Sequence, residues 1–182
     1  RVAAIARDGS EVQQSGISMG SVGDFSAVER LHDEVKDVAR RAAALLEAAN
    51  VKGGEYTVVL DPVLAGVFTH EAFGHLSEAD LVYDSPQMRE LMVIGRRFGG
   101  RHLNIVDDAT MASLRGGYAY DDEGTPGQRT YLIREGVLVG RLHSRETAAK
   151  MGEAPSGNAR AIDYRHSPIV RMSNTYIEPD TV

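Results

Sequence analysis

Apolar residues recur three or four positions apart at Val28, Leu31, Val35, Val38, Ala42, Leu45 and Ala49. That spacing predicts a long amphipathic helix, ending near Asn50 with Gly53-Gly54 beyond it. Ser26-Ala27-Val28-Glu29 reads as the capping box that opens it. Upstream, residues 2–7 and 11–19 flank Asp8-Gly9 and read as a hairpin. Downstream, residues 56–60 form a short apolar, β-branched run that predicts a buried strand. Asp61-Pro62 then supplies an N-cap followed by proline in the first turn. Residues 63–76 are apolar nearly all round, the pattern of a helix enclosed by protein. Further helices are predicted over 88–98 and 145–151, and strands over 103–106, 130–134, 137–142 and 169–177. Glu135-Gly136 is the turn of a second hairpin. Residues 116–127 and 152–163 read as loops. Strands and helices mix without a regular βαβ rhythm, so the expected fold class is α+β with mixed or antiparallel sheets. The expected division is residues 1–55, the end of an N-terminal α/β region, and 56–182, the start of a C-terminal region.

Composition narrows the function. The 182 residues carry a formal net charge of −6, with acids and bases interleaved. No basic stripe appears, which argues against nucleic acid as a partner. No apolar run reaches the length of a membrane span. Cysteine is absent, so no disulfide is expected, in keeping with a cytoplasmic location. The chain opens on Arg1 rather than methionine, and we expect a piece of a longer polypeptide.

The apolar helix contains His70-Glu71-Ala72-Phe73-Gly74-His75. Enclosing two imidazoles and a carboxylate among Val67, Phe68, Ala72 and Phe73 is costly unless each is paired or bound. A metal answers that cost. Neutral imidazoles are zinc ligands, and an adjacent glutamate can take a proton from water that the metal activates. His70 and His75 are therefore the candidate ligands and Glu71 the candidate catalytic base. The histidines stand at i and i+5, not at i and i+4 as on the common zinc-peptidase helix. On a regular helix that separates them by roughly 140°. Both reach one metal only if the helix bulges, and Gly74, directly before His75, permits a π turn.

Other polar residues have more ordinary explanations. Asp107-Asp108 and Asp121-Asp122-Glu123 read as turn chemistry. Arg96-Arg97 reads as a helix C-terminal cap. Arg160, Arg165 and Arg171 near His166 either line a substrate cleft or form structural ion pairs.

The run from Val59 to Asp80, with its HExxxH pattern, resembles the TldD/PmbA family, also called modulators of DNA gyrase. The resemblance extends, in order, through Ile105-Val106-Asp107-Asp108, Asp121-Asp122-Glu123-Gly124-Thr125-Pro126 and Leu142-His143-Ser144-Arg145. It continues in Gly157-Asn158-Ala159-Arg160 and in the stretch from Arg171 to Pro179. It implies a TldD-type subunit, because the PmbA-type partner lacks the HExxxH residues. It further implies a cytoplasmic, zinc-dependent peptidase cutting short or unfolded peptides, working with a PmbA-type subunit as a heterodimer, or as a homodimer. The resemblance places the third zinc ligand, a cysteine, in a segment this chain does not contain. In-chain candidates are Glu78, then His143 and His166, with Glu78 more readily an outer partner of the site or a solvated acid at the helix end than a ligand. The chain alone is expected to bind zinc weakly, to be inactive and to expose apolar surface. The alternative function is a non-catalytic metal- or peptide-binding subunit. Glu71 separates the two, because a purely structural zinc site needs no adjacent base.

Overall fold

The computed structural model describes residues 1–20 and 22–180. The chain divides into two compact units, Arg1–Val58 and Val59–Val182.

In the first unit, β1 (Val2–Asp8) and β2 (Glu11–Ile17) pair antiparallel, with Asp8 opposite Glu11. The turn works because Gly9 adopts φ +56°, a conformation glycine takes without steric cost. Helix α1 (His32–Glu47) packs on this hairpin and buries Val38 and Ala42. The expected capping box does not form. Asp24, two residues before Ser26, accepts the Ser26 amide at 2.9 Å and opens a short 3-10 turn over Phe25–Val28. Arg30 then takes φ +65°, so α1 starts four residues later than the apolar spacing suggests and has no side-chain cap.

The second unit is built on a four-stranded antiparallel sheet in the order β5-β4-β3-β8. Its strands are β3 (Ile105–Asp108), β4 (Arg129–Arg134), β5 (Val137–Leu138) and β8 (Thr175–Ile177). Glu135 and Gly136 both have positive φ, 49° and 77°, as a two-residue hairpin turn requires. The predicted strand 169–177 is two pieces: β7 (Ile169–Val170), which pairs with β6 (Ala159–Arg160), and β8. The core joins Val82, Met92, Ile105, Leu132, Ile133, Leu138, Leu142 and Val170. Helix α5 (Arg145–Met151) has the bounds its sequence predicts. Ser144 and Thr147 form a capping box, and Gly152 ends the helix in the left-handed region. The α+β class is the one expected from the sequence.

Three further elements differ from expectation. Residues 56–60 are not a strand: the segment is irregular and Val59 is 98% exposed. A β-branched run becomes a strand only where a neighbour supplies backbone partners, and none of the described residues does. The helix expected over 88–98 lies earlier and is shorter. It is α4 (Pro86–Leu91), opened by Pro86 with Ser85 as its cap, directly after α3 (Ala79–Asp84). Arg96 lies beyond α4 and donates to the carbonyls of Glu90 and Leu91, while Arg97 donates to the Gly99 and Glu135 carbonyls. Finally, helix α2 (Pro62–Thr69) is not enclosed. Asp61 caps it through the Leu64 amide at 2.7 Å, as predicted. Yet Val63, Leu64, Val67 and Phe68 are all exposed.

Candidate metal centre

Helix α2 does not continue as a regular helix through the His-Glu motif. Residues His70–Gly74 form a π turn, closed by the His75 amide donating to the His70 carbonyl. The π turn's wider winding cancels the angular separation that i, i+5 spacing gives on an α-helix. The two imidazole rings consequently meet edge to face, with centroids 4.6 Å apart. Ligand atoms of His70, Glu71 and His75 all lie within 4.8 Å of one another. Among the described residues this is the group of three or more such side chains that converges.

Packing explains why the turn is held. Phe73 points to the core and meets Phe98 edge to face at 5.7 Å, and Leu76 packs beside it. Past the turn, the Leu142 amide donates to the Ser77 carbonyl and the Ala79 amide to the Leu142 carbonyl. The motif is therefore tied to the unit's core through the π turn itself and again just beyond it. Gly74 gives Met172 its place: a Cβ there would come within 2.0 Å of Met172 Sδ, and that side chain would have to move.

Burial does not explain the cluster, contrary to the expectation from the apolar sequence around it. His70 and Glu71 are exposed and His75 is half-buried. His70 and Glu71 are left in solvent, so convergence rather than burial carries the reading. Two imidazoles and a carboxylate are donor types that zinc takes, so the residues present fit such an ion.

The other candidates are placed differently. Glu78 is buried and faces His75 Nδ1 at 3.3 Å, while Arg171 Nη1 donates to its two oxygens at 3.3 and 3.2 Å. Burial pushes the Glu78 carboxyl upward in pKa, opposed by the His75 hydrogen bond and the Arg171 charge. These are the contacts of a carboxylate that orients His75 through Nδ1 and leaves Nε2 open. His143 is fully buried against Thr147 and Glu153, at 3.1 Å each. Burial pulls its pKa down. His166 is exposed and holds Asp163 at 2.8 Å. Arg165 pairs with the same Asp163.

Asp107 is a residue whose part the sequence reading missed. It is not in a turn but in β3, and is 1% exposed. It accepts from the Ser173 amide and hydroxyl, the Thr175 hydroxyl and Asn158 Nδ2. Asn158 in turn accepts the Arg171 amide on its own carbonyl and donates Nδ2 to the Arg171 carbonyl. Asp107 and Asn158 thereby fix the segment that brings Arg171 and Met172 to the motif. Asp121, by contrast, does serve a turn, accepting the Glu123 and Thr125 amides.

Comparison with known proteins gives a consistent picture. Residues 53–182 match the family model of the PmbA/TldA metallopeptidase C-terminal domain. A metalloprotease of Synechocystis is 51% identical over 177 residues, 97% of this chain and 38% of that protein. A zinc metalloprotease TldD homolog of Saccharolobus solfataricus is 36% identical over 177 residues, 96% of this chain and 39% of that protein. The chain thus spans about two fifths of the length of these relatives. In fold, it is similar to the crystal structure of a candidate modulator of a DNA gyrase from Thermotoga maritima. The TM-score is 0.74 at 24% identity, over 98% of this chain and 39% of that one. TldE from Thermococcus kodakarensis gives a TM-score of 0.60 at 20% identity, over 97% and 39% respectively.

Proposed function

The chain belongs to the PmbA/TldD metallopeptidase family, and from that premise we propose that it is the metal-binding part of a zinc-dependent peptidase. The observation that supports this reading is the π turn, which gathers His70, Glu71 and His75 at one exposed point. His70 and His75 would hold the ion, and a cysteine outside this chain would complete the set, as the family resemblance implies. When bound, zinc supplies Lewis acidity, lowering the pKa of water to about 7 and polarising a scissile carbonyl.

The chain's own residues do the rest. Glu71, adjacent in sequence to His70, accepts the proton of the attacking water on a carboxylate oxygen and delivers it to the departing amine. Glu78 and Arg171 keep the His75 ring in one orientation. His70→Ala in the full-length protein is expected to weaken zinc binding by more than about a hundredfold, beyond the effect typical of an outer partner. Zinc content after dialysis measures this, and unchanged stoichiometry and affinity would remove His70 from the ligand set.

The substrate in this reading is a short or unfolded peptide. Strand β8 is an edge of the sheet and runs beside α2 and the π turn. An extended peptide can pair with such an edge, whereas a compact domain has no free backbone to offer. The full-length enzyme is expected to cut unfolded proteins and spare the same proteins when folded. Equal rates on a stable domain and its unfolded form would contradict this. The family resemblance favours assembly with a PmbA-type subunit, with a homodimer as the alternative, and we place the enzyme in the cytoplasm.

A further inference from the structure

A groove of about 680 Å³ opens beside the π turn, lined by Arg160, Ile162, His166, Ile169, Arg171 and Met172 among others. It shares a wall with the His-Glu cluster. Met172 Sδ is the atom lying against Gly74, and Arg171 is the residue bonded to Glu78 behind His75. Through Met172 and Arg171 the groove thus adjoins the segment that carries the His-Glu cluster.

Carboxylates already meet part of the groove's polar lining, Glu78 on Arg171, Asp163 on His166 and Asp122 on the Ala161 amide, which leaves Arg160 as the donor without such a partner among the described residues. None of its lining residues is acidic. The Arg160 guanidinium lies over the Tyr118 ring at 4.8 Å, a stacking that fixes the plane of its donors. Tyr118 is itself held by donating to the Gly157 carbonyl at 2.9 Å. Arg171 spends Nη1 on Glu78 and its side chain is 48% exposed. His166 spends Nδ1 on Asp163 and keeps Nε2. Ile162 and Ile169, both exposed, flank these donors with apolar surface. Fixed guanidinium forks beside apolar walls are suited to a carboxylate on a peptide, because planar donors match its two oxygens.

We infer that this groove is a specificity pocket for a carboxylate of the peptide substrate, with Arg160 as its principal donor and Arg171 and His166 assisting. The inference rests on the peptidase reading for the identity of the ligand. The carboxylate is either the peptide's own C-terminus or an acidic side chain near the cleaved bond. No group of the zinc cluster takes part in recognising it.

The test uses the full-length, metal-loaded protein carrying Glu71→Gln, so that peptides bind without being consumed. Fluorescence anisotropy is read with three labelled peptides of one sequence: free C-terminus, amidated C-terminus, and amidated with one internal glutamine replaced by glutamate. A carboxylate peptide is expected to bind about tenfold tighter than the neutral one, with the advantage shrinking as salt is added. Preference for the free terminus or for the glutamate peptide identifies which carboxylate is bound. Adding Arg160→Gln is expected to bring the ratio close to one, and Arg160→Lys to leave it in between, with thermal melts confirming that both variants fold. Discrimination in binding with no hydrolysis of any peptide by the Glu71 enzyme would uphold the groove and overturn the peptidase reading. No discrimination, or discrimination that survives Arg160→Gln, overturns the groove.

Discussion

Full-length protein carrying Glu71→Gln is expected to keep its zinc and its fold and to lose peptide hydrolysis by about 10²- to 10⁴-fold, the range that general-base groups contribute. Glutamine has the shape of glutamate but its side-chain amide takes no proton at neutral pH. Glu71 is exposed, next in sequence to His70 and part of the converging cluster, so the substitution disturbs no packed surface. The same variant separates two roles. As a proton acceptor, Glu71 can be replaced without losing metal. As a ligand, its replacement lowers zinc content along with turnover. Turnover and zinc content measured on one preparation distinguish these, and near-normal turnover would remove Glu71 from the chemistry altogether.

The largest expected effect on stability lies away from the cluster. Asp107→Ala is expected to cost about 3–5 kcal/mol, because it strands one buried and several part-buried donors at once. The Ser173 hydroxyl and the Thr175 hydroxyl each donate to the carboxylate at 2.7 Å, and Asn158 Nδ2 at 2.9 Å. The Ser173 amide adds a further bond at 2.9 Å. At about 2–4 °C per kcal/mol for a domain of this size, the midpoint of thermal unfolding should fall by roughly 10 °C. Asp107→Asn should lose less, since one acceptor oxygen remains. A shift under about 2 °C for the alanine variant would show that water replaces the lost acceptor without strain. The effect should also reach the groove, because Asn158 and Ser173 bracket Arg171 and Met172.

What could be read from the sequence was set by distance along the chain. Asp8-Gly9, Glu135-Gly136 and Asp61-Pro62 act within four residues of themselves, and each does what its local chemistry predicts. The π turn was legible for a different reason: i, i+5 histidines serve one metal only through such a turn. Residues 56–60 and the apolar face of α2 carry the signature of buried elements, yet the neighbours that would bury them are not among the described residues. Ser26 misled because Asp24, an equally good cap two residues before it, accepts the Ser26 amide. The Arg171–Glu78 ion pair joins residues 93 apart, and the Asp107 bonds to Ser173 and Thr175 span 66 and 68. No periodicity or motif encodes such pairings, so Asp107 read as turn chemistry when it is a buried anchor.

The π turn also bears on how this motif can vary. His70, Gly74 and His75 all keep right-handed helical angles, so the additional residue is spread smoothly over one winding and breaks nothing. A winding of five residues in place of four brings the chain back to nearly the same heading. The helix therefore tolerates a one-residue length change at this point without rotating the residues downstream, and Phe73 and Leu76 keep their aim at the core. An i, i+4 helix and this i, i+5 helix are thus neighbours in shape, one insertion apart. Alignment of such helices should be judged by which face each side chain occupies, because counting residues between histidines places equivalent positions out of register.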